Sequence, residues 1–181
     1  EIFNSQKELN SAKKKNIIQK DIYGSGSSGL KYFKENETIQ FTNKKLFQKR
    51  INGKELHLDI LNDFDGNFVS SCTKKKILMR AGETDQAQIL NKNKYDIFSK
   101  KISSVFRHVG NLDCDVIEDN SGRLFLIDLN PRFGGGYPFT HESGLNYIRI
   151  ILNMALGKKI NIKLKPKLKK FSKGISIHSK N

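Results

Sequence analysis

The 181-residue chain carries 33 lysines and arginines against 18 aspartates and glutamates, a formal net charge of +15, so its surface attracts anionic partners. Its hydrophobic content of 36% suits one sizeable core or two small lobes. No apolar run approaches membrane-spanning length and the amino end lacks the apolar core of a signal peptide, so a cytoplasmic protein that does not engage a membrane is expected.

Most of the charge is lysine, in runs at residues 13–15 and 74–76 and between Lys158 and Lys173. No aromatic series interleaves them as single-stranded nucleic-acid grooves require, so these lysines read as a solvated surface. A nucleic-acid-binding domain therefore rests on charge alone. Cys72 and Cys114 lack the spacing of a zinc site and read as reduced packing residues.

In chain order, residues 1–15 have helical character with a weak apolar stripe. Residues 16–23 form a strand leading into the loop Gly24-Ser25-Gly26-Ser27-Ser28-Gly29, after which residues 30–33 resume an extended pattern. Residues 45–51 read as another strand ending at Asn52-Gly53. From Glu55 the alternation is clean, with Leu56, Leu58 and Ile60 on one side and Glu55, His57 and Asp59 on the other. Asp65-Gly66 turns the chain, residues 68–73 return, and residues 76–80 precede a polar loop at 81–85. Tyr95, Phe98, Ile102, Val105, Phe106 and Val109 recur at helical steps, with Gly110 as the stop. A second helix is marked by Leu145, Ile148, Ile151, Leu152, Ala155 and Leu156, and residues 174–177 read as a last strand.

The chemistry concentrates between these helices. Residues 111–118 read as a strand, 119–122 as a turn and 123–130 as the returning strand. With Asp115 facing Leu126, Asp113, Asp115, Asp128 and Asn130 share one face, while Leu112, Cys114, Val116, Phe125, Ile127 and Leu129 share a core face. Asp115 and Asp128 then stand diagonally, roughly 7 to 8 Å apart, with room for a cation between them. Two carboxylates and an amide oxygen are a donor set magnesium accepts, with waters and nucleotide phosphates completing it. Arg132 follows the strand end with a planar fork suited to phosphate, and Gly134, Gly135 and Gly136 permit close backbone approach.

The Gly-Ser loop lies between two strands, which fits neither a P-loop nor a dinucleotide-binding turn but can fold amides and hydroxyls over phosphates. Lys20, just before it, can place an ammonium on the same phosphates. A carboxylate at Glu55 could accept ribose hydroxyls, and Arg80 could hold a phosphorylated intermediate or anchor its loop. His57 and Asp59 share the face of Glu55, and neither has a partner that identifies a role.

Taken in order, Lys20 with residues 24–29, residues 48–51, Gly53-Lys54-Glu55, Arg80-Ala81-Gly82-Glu83-Thr84, residues 110–116 and Asp128-Leu129-Asn130-Pro131-Arg132-Phe133-Gly134-Gly135-Gly136 resemble the ATP-grasp superfamily. The wording looks most like the carbamoyl-phosphate-synthase large chain. The resemblance implies an α+β fold of two lobes with mainly antiparallel sheets packed by helices. A partial small lobe over residues 1–47 would hold the phosphate loop, and a larger lobe over residues 48–181 the adenine hinge and metal site.

It further implies ATP between the lobes, bound by Lys20, Gly26, Ser27 and Ser28 at the phosphates, by Gln48, Lys49, Arg50 and Ile51 at adenine and by Glu55 at the ribose. Asp115, Asp128 and Asn130 would carry Mg2+, or Mn2+ in its place, and Arg132 and Arg80 would be the catalytic arginines. The implied activity is a ligase that phosphorylates a small carboxylate or bicarbonate for capture by an amine or ammonia, in a protein that can oligomerise. A noncatalytic ATP-binding module is the alternative. The sequence departs from the family pattern in having Asp21 where proline is usual, Asp128 where glutamate is usual, and the polar pair Lys49-Arg50 in the hinge. The absence of an initial methionine and of the family's preceding α/β domain marks the chain as an expected excerpt.

Overall fold

The computed structural model describes residues 2–12, 16–23, 29–34, 37–80, 83–159 and 165–174. The chain divides into two compact units, Glu1–Asn52 and Gly53–Asn181.

The first unit holds strand β1 (Ile2–Phe3), helix α1 (Gln6–Ser11) and strands β2 (Ile17–Asp21), β3 (Lys31–Tyr32) and β4 (Lys45–Lys49). Its antiparallel sheet runs β1-β4-β2-β3. Helix α1 begins at Ser5, whose hydroxyl accepts the Glu8 amide, one of the donors a helix start leaves unpaired. Phe3, Leu9, Ile17, Phe33, Ile39 and Phe47 close the core. The expected lobe boundary after residue 47 falls inside β4, which pairs with β2 from Lys45 to Lys49, so the first unit extends to Asn52.

The second unit is a six-stranded sheet built from β5 (Gly53–Asn62), β6 (Phe68–Arg80), β7 (Glu83–Leu90), β8 (Gly110–Asp119), β9 (Leu124–Asn130) and β10 (Lys170–Ser172), in the order β10-β7-β6-β5-β8-β9. Every neighbouring pair is antiparallel. One face packs on helix α2 (Asn93–Phe106) through Leu56, Leu58, Ile60, Tyr95, Ile102, Leu112, Cys114 and Val116. The other is covered in part by α3 (Tyr137–Glu142) and α4 (Tyr147–Ala155), around Leu61, Cys72, Ala87, Ile89, Tyr137, Phe139 and Tyr147. Both cysteines are free and buried, as packing residues should be.

Several expectations are corrected. Residues 76–80 are not a separate segment: β6 runs unbroken to Arg80, and the expected loop at 81–85 gives way at Glu83 to β7. Helix α2 stops at Phe106 because Arg107 turns left-handed at φ 46°, leaving Gly110, at φ 75°, to open β8. Val105, Phe106 and Val109 are exposed. Helix α4 buries Tyr147 and Ile150 and exposes Ile148, Leu152 and Leu156. The last described strand is Lys170–Ser172, and residues 175–177 lie outside the described residues.

The hairpin of β8 and β9 also differs in register. Its loop holds three residues, closed by the Asp119 amide donating to the Arg123 carbonyl at 2.9 Å, with Gly122 at φ 81° in the left-handed position such a loop requires. That shift pairs Val116 with Leu126 and Glu118 with Leu124, so Leu124 and Leu126 pack on the α2 core in place of Phe125 and Ile127. A bulge at Ile127 then resets the alternation, pairing Asp115 with Asp128 and Asp113 with Asn130.

Candidate functional site

The two irregularities cancel for the acidic residues. Asp113, Asp115, Asp128 and Asn130 still share a face, but Asp115 and Asp128 are direct partners rather than diagonal ones, which brings their β-carbons to about 4.5–5.5 Å in ordinary sheet geometry. Like charges so placed need a cation nearby. Strand β5 extends the face, since His57 pairs with Asp115 and Asp59 with Asp113. On β6, Lys74 lies opposite His57, and Lys76 follows on the same face two residues on.

These side chains form a buried charged cluster. Asp59 and Lys74 are 0% and 1% exposed. Their ion pair is completed by the Thr140 hydroxyl of α3, which meets both groups. Burial pushes the Asp59 carboxyl up, but Lys74 and His57 outweigh it and hold the group well below the usual carboxylate range. His57 Nε2 lies 2.5 Å from Asp113 Oδ1 and 3.6 Å from Asp59 Oδ1, and Nδ1 lies 3.5 Å from Asp115 Oδ1. The Nε2 contact is close but not linear, so it is an ion pair rather than an aligned hydrogen bond. Burial and Lys74 push the imidazole down, yet the carboxylates Asp113, Asp115 and Asp59 prevail and raise it to about 9.

Asp115 Oδ1 is buried with Lys76 Nζ 2.9 Å away, and among the described residues no donor is aligned on it as a hydrogen bond. Burial raises the Asp115 carboxyl, but His57 and Lys76 win and bring it to about 2. Asp128 is exposed, and its Oδ2 accepts from Asn130 Nδ2 at 3.1 Å. That bond uses the amide nitrogen of Asn130 and leaves its oxygen, the atom a hard cation takes. An ionised, underbonded Asp115, an exposed Asp128 opposite it and the Asn130 oxygen therefore fit a magnesium ion. His57, Asp59 and Asp113 also have donor atoms within 4.8 Å of one another, but Lys74 already supplies the positive charge at Asp59.

Two of the glycines after Arg132, Gly134 and Gly136, back directly onto the cluster. A β-carbon on Gly136 would stand 2.9 Å from His57 Nε2, one on Gly135 3.3 Å from the Glu83 carboxyl carbon, and one on Gly134 would overlap the Asp113 carboxylate. The turn thus lies flat on the charged side chains. Arg132 is held at its carbonyl by Asn111 Nδ2 at 3.0 Å, and its guanidinium is largely exposed, 3.9 Å from Asp113 Oδ2.

Other expected site residues are placed as follows. Arg80 is exposed and meets Asp85 at 3.3 Å. Glu55 is exposed at the start of β5, 3.7 Å from Lys76 Nζ. Lys20 is half-buried on β2 opposite Leu46, Gln48 and Lys49 lie in β4, Arg50 stacks on Tyr32 with 4.7 Å to the ring centroid, and Ile51 follows outside any strand. Gly26, Ser27 and Ser28 lie outside the described residues. Beyond the loop, Gly29 has φ 73° and packs on the Asp21 carboxylate, which also pairs with Lys45. Lys74 overturns the reading of residues 74–76 as solvated surface, because alternation along β6 buries it while Lys75 stays exposed. His57, Asp59, Lys74 and Asn111 were not identified from sequence as site residues; the usable signal was that His57 and Asp59 alternate with the core residues Leu56, Leu58 and Ile60.

Comparison with known proteins gives a consistent result. A family model described as an ATP-grasp domain matches residues 4–136. No curated protein matches the chain. Among solved structures, the biotin carboxylase domain of Hydrogenobacter thermophilus 2-oxoglutarate carboxylase, crystallised with MgADP, ADP and bicarbonate, superposes with a TM-score of 0.68 at 17% identity over 88% of this chain and 41% of that one. Staphylococcus aureus N5-carboxyaminoimidazole synthetase gives 0.66 at 12% identity over 89% and 46%. Campylobacter jejuni biotin carboxylase, in a complex with β-γ-ATP, gives 0.63 at 16% identity over 84% and 40%. The chain spans less than half the length of each of these structures, and among its described residues no helix is long and apolar enough to cross a membrane.

Proposed function

The chain belongs to the ATP-grasp domain family, and from that premise we propose that it is the nucleotide-binding core of an ATP- and magnesium-dependent ligase of the carbamoyl-phosphate-synthase kind. The reaction it serves phosphorylates a carboxylate or bicarbonate and passes the acyl phosphate to an amine or ammonia. The observation that carries this reading is the pairing of Asp115 with Asp128, with Asn130 on the same face and Arg132 two residues beyond it.

In this reading Asp115, Asp128 and Asn130 hold Mg2+ (Mn2+ would serve), which when bound neutralises charge on the β- and γ-phosphates. The exposed guanidinium of Arg132 binds the transferring phosphoryl group, whose equatorial oxygens suit its planar fork. An acceptor carboxylate oxygen attacks the γ-phosphorus as the bond to the bridging oxygen breaks, releasing ADP. Lys20 binds phosphate, with Gly26, Ser27 and Ser28 supplying amides and hydroxyls, while Gln48, Lys49, Arg50 and Ile51 hold adenine and Glu55 the ribose. Arg80, which pairs with Asp85 of β7, serves the phosphorylated intermediate.

Calorimetric titration of the full-length protein with ATP tests the reading. Binding should strengthen with magnesium, and Asp128→Ala and Asn130→Ala should abolish that enhancement; unchanged enhancement in both variants removes the metal assignment. Acceptor-dependent ADP release then distinguishes a ligase from a noncatalytic ATP-binding module, which would bind MgATP and release no ADP with any carboxylate, bicarbonate or amine.

A further inference from the structure

His57 lies at the centre of the cluster, touches none of the groups assigned to ATP, and has a carboxylate at each ring nitrogen. Nδ1 faces Asp115 Oδ1 at 3.5 Å and Nε2 faces Asp113 Oδ1 at 2.5 Å. From Asp113 the connection continues to Arg132, whose Nη1 lies 3.9 Å from Asp113 Oδ2. Asn111, two residues earlier on β8, donates to the Arg132 carbonyl at 3.0 Å. The ring is also confined from above, because Gly136 backs onto it too closely to admit a β-carbon. His57 is therefore fixed by β5 beneath it, β8 beside it and the glycine turn over it, and its ring cannot leave either carboxylate without disturbing that packing.

We propose that His57 is a positioning residue that aims the Asp115 carboxylate at the metal and, through Asp113, links that ligand to the turn carrying Arg132. This rests on the metal assignment made above. Among the described residues Asp115 Oδ1 has no aligned hydrogen-bond donor, and Lys76, on a long flexible stem, restrains its charge but not its direction. Among the described residues the imidazole edge is the rigid polar group against that oxygen. Groups that orient a metal ligand from behind typically contribute 10- to 100-fold in metal affinity.

Two substitutions separate the two ends of the ring. The amide of asparagine can occupy the place of Nδ1 and keep the contact to Asp115, whereas that of glutamine reaches the place of Nε2 and keeps the contact to Asp113. In the full-length protein the readout is the ratio of the ATP dissociation constant in EDTA to that in saturating magnesium. His57→Gln should lower this ratio about 10-fold or more while the value in EDTA stays close to wild type and the melting temperature matches that of His57→Asn, and His57→Asn should restore most of the ratio. Equal ratios in wild type and His57→Gln would overturn the proposal, as would a His57→Asn variant no better than His57→Gln. Asp128→Ala serves as the reference: if it abolishes the magnesium enhancement while His57→Gln does not, this inference fails and the metal site stands; if neither changes it, the metal assignment itself has failed. A Mn2+ ion detected by paramagnetic resonance without nucleotide, lost in His57→Asn and retained in Asp128→Ala, would also overturn the proposal by making His57 a ligand together with Asp59 and Asp113.

Discussion

Removing the ammonium of Lys74 should be among the most damaging single changes to the second unit. Lys74 and Asp59 are 1% and 0% exposed, so neither can recover hydration when the other is lost. In Lys74→Met the Asp59 carboxylate would keep the Thr140 hydroxyl, with Asn111 Nδ2 at 3.5 Å and His57 Nε2 at 3.6 Å. Breaking a buried pair from one side typically costs about 3–5 kcal/mol, because the remaining charge stays desolvated. At about 2–4 °C per kcal/mol for a chain of this size, the melting temperature should fall by roughly 6–20 °C. The protein has no tryptophan, so urea and thermal unfolding are best followed by far-ultraviolet circular dichroism. Adding Asp59→Asn to Lys74→Met removes the uncompensated charge and should recover at least about 1 kcal/mol, a coupling that independent sites would not show. A loss below about 1 kcal/mol in Lys74→Met, or further loss in the double variant, would refute the view that these groups form a dehydrated, mutually dependent pair.

Three further outcomes are expected. His57 has its folded-state value raised from 6.5 to about 9, so its contribution to stability is complete below about pH 6.5 and is lost as pH rises through about 9, amounting to at most about 3 kcal/mol; urea midpoints at about pH 6 and pH 9.5 measure it, and His57→Gln should flatten the difference. Gly136→Ala must displace the turn or the His57 ring, since its β-carbon would stand 2.9 Å from Nε2, and should cost about 1–3 kcal/mol in chemical unfolding, whereas Gly174→Ala, with open space around it, should be nearly neutral. The three-residue loop between β8 and β9 predicts that Leu126→Ala, which removes a side chain packed on the α2 core, costs about 2 kcal/mol, while Ile127→Ala, at a position 36% exposed, costs about 0.5 kcal/mol or less; reversed magnitudes would restore the register of a two-residue turn.

The acidic face was legible because its information is local: Asp113, Asp115, Asp128 and Asn130 belong to one hairpin, and alternation alone groups them. The register was less so. A three-residue loop with Gly122 left-handed and a bulge at Ile127 each reverse the alternation, and the final grouping survived because the two reversals cancel. What sequence reading missed depends on pairing between distant strands. Nothing near Lys74 distinguishes it from Lys75; burial follows from the place of β6 beside β5, which brings Asp59 within reach. His57 likewise acquires its partners only when β8 returns alongside β5 from beyond α2. Strand β7 was hidden because the half-buried Gln86 and Gln88 interrupt its apolar pattern, leaving Ala87, Ile89 and Leu90 to mark the core. Arg107 ended α2 in a left-handed turn that a non-glycine residue seldom signals.

The balance of charge on the shared face bears on the order of binding. Lys74 pairs with Asp59 and Lys76 with Asp115, while Arg132 lies within 4 Å of Asp113; among the described residues Asp128 has no basic partner and accepts only from its own neighbours Leu129 and Asn130. A protonated His57 between Asp113 and Asp115 offsets that last carboxylate, and Glu55, which shares Lys76 with Asp115, leaves the face with one excess negative charge before any ligand arrives. A bare divalent cation would leave it with excess positive charge, and that excess would be confined where water screens poorly. Triphosphate oxygens reverse this, supplying the negative charge and the remaining ligands that a magnesium site with few protein donors needs. On the proposed metal assignment the arrangement would favour metal entering with nucleotide over metal binding first, with Lys74, Lys76 and His57 preparing the face for a polyanion rather than for an ion alone.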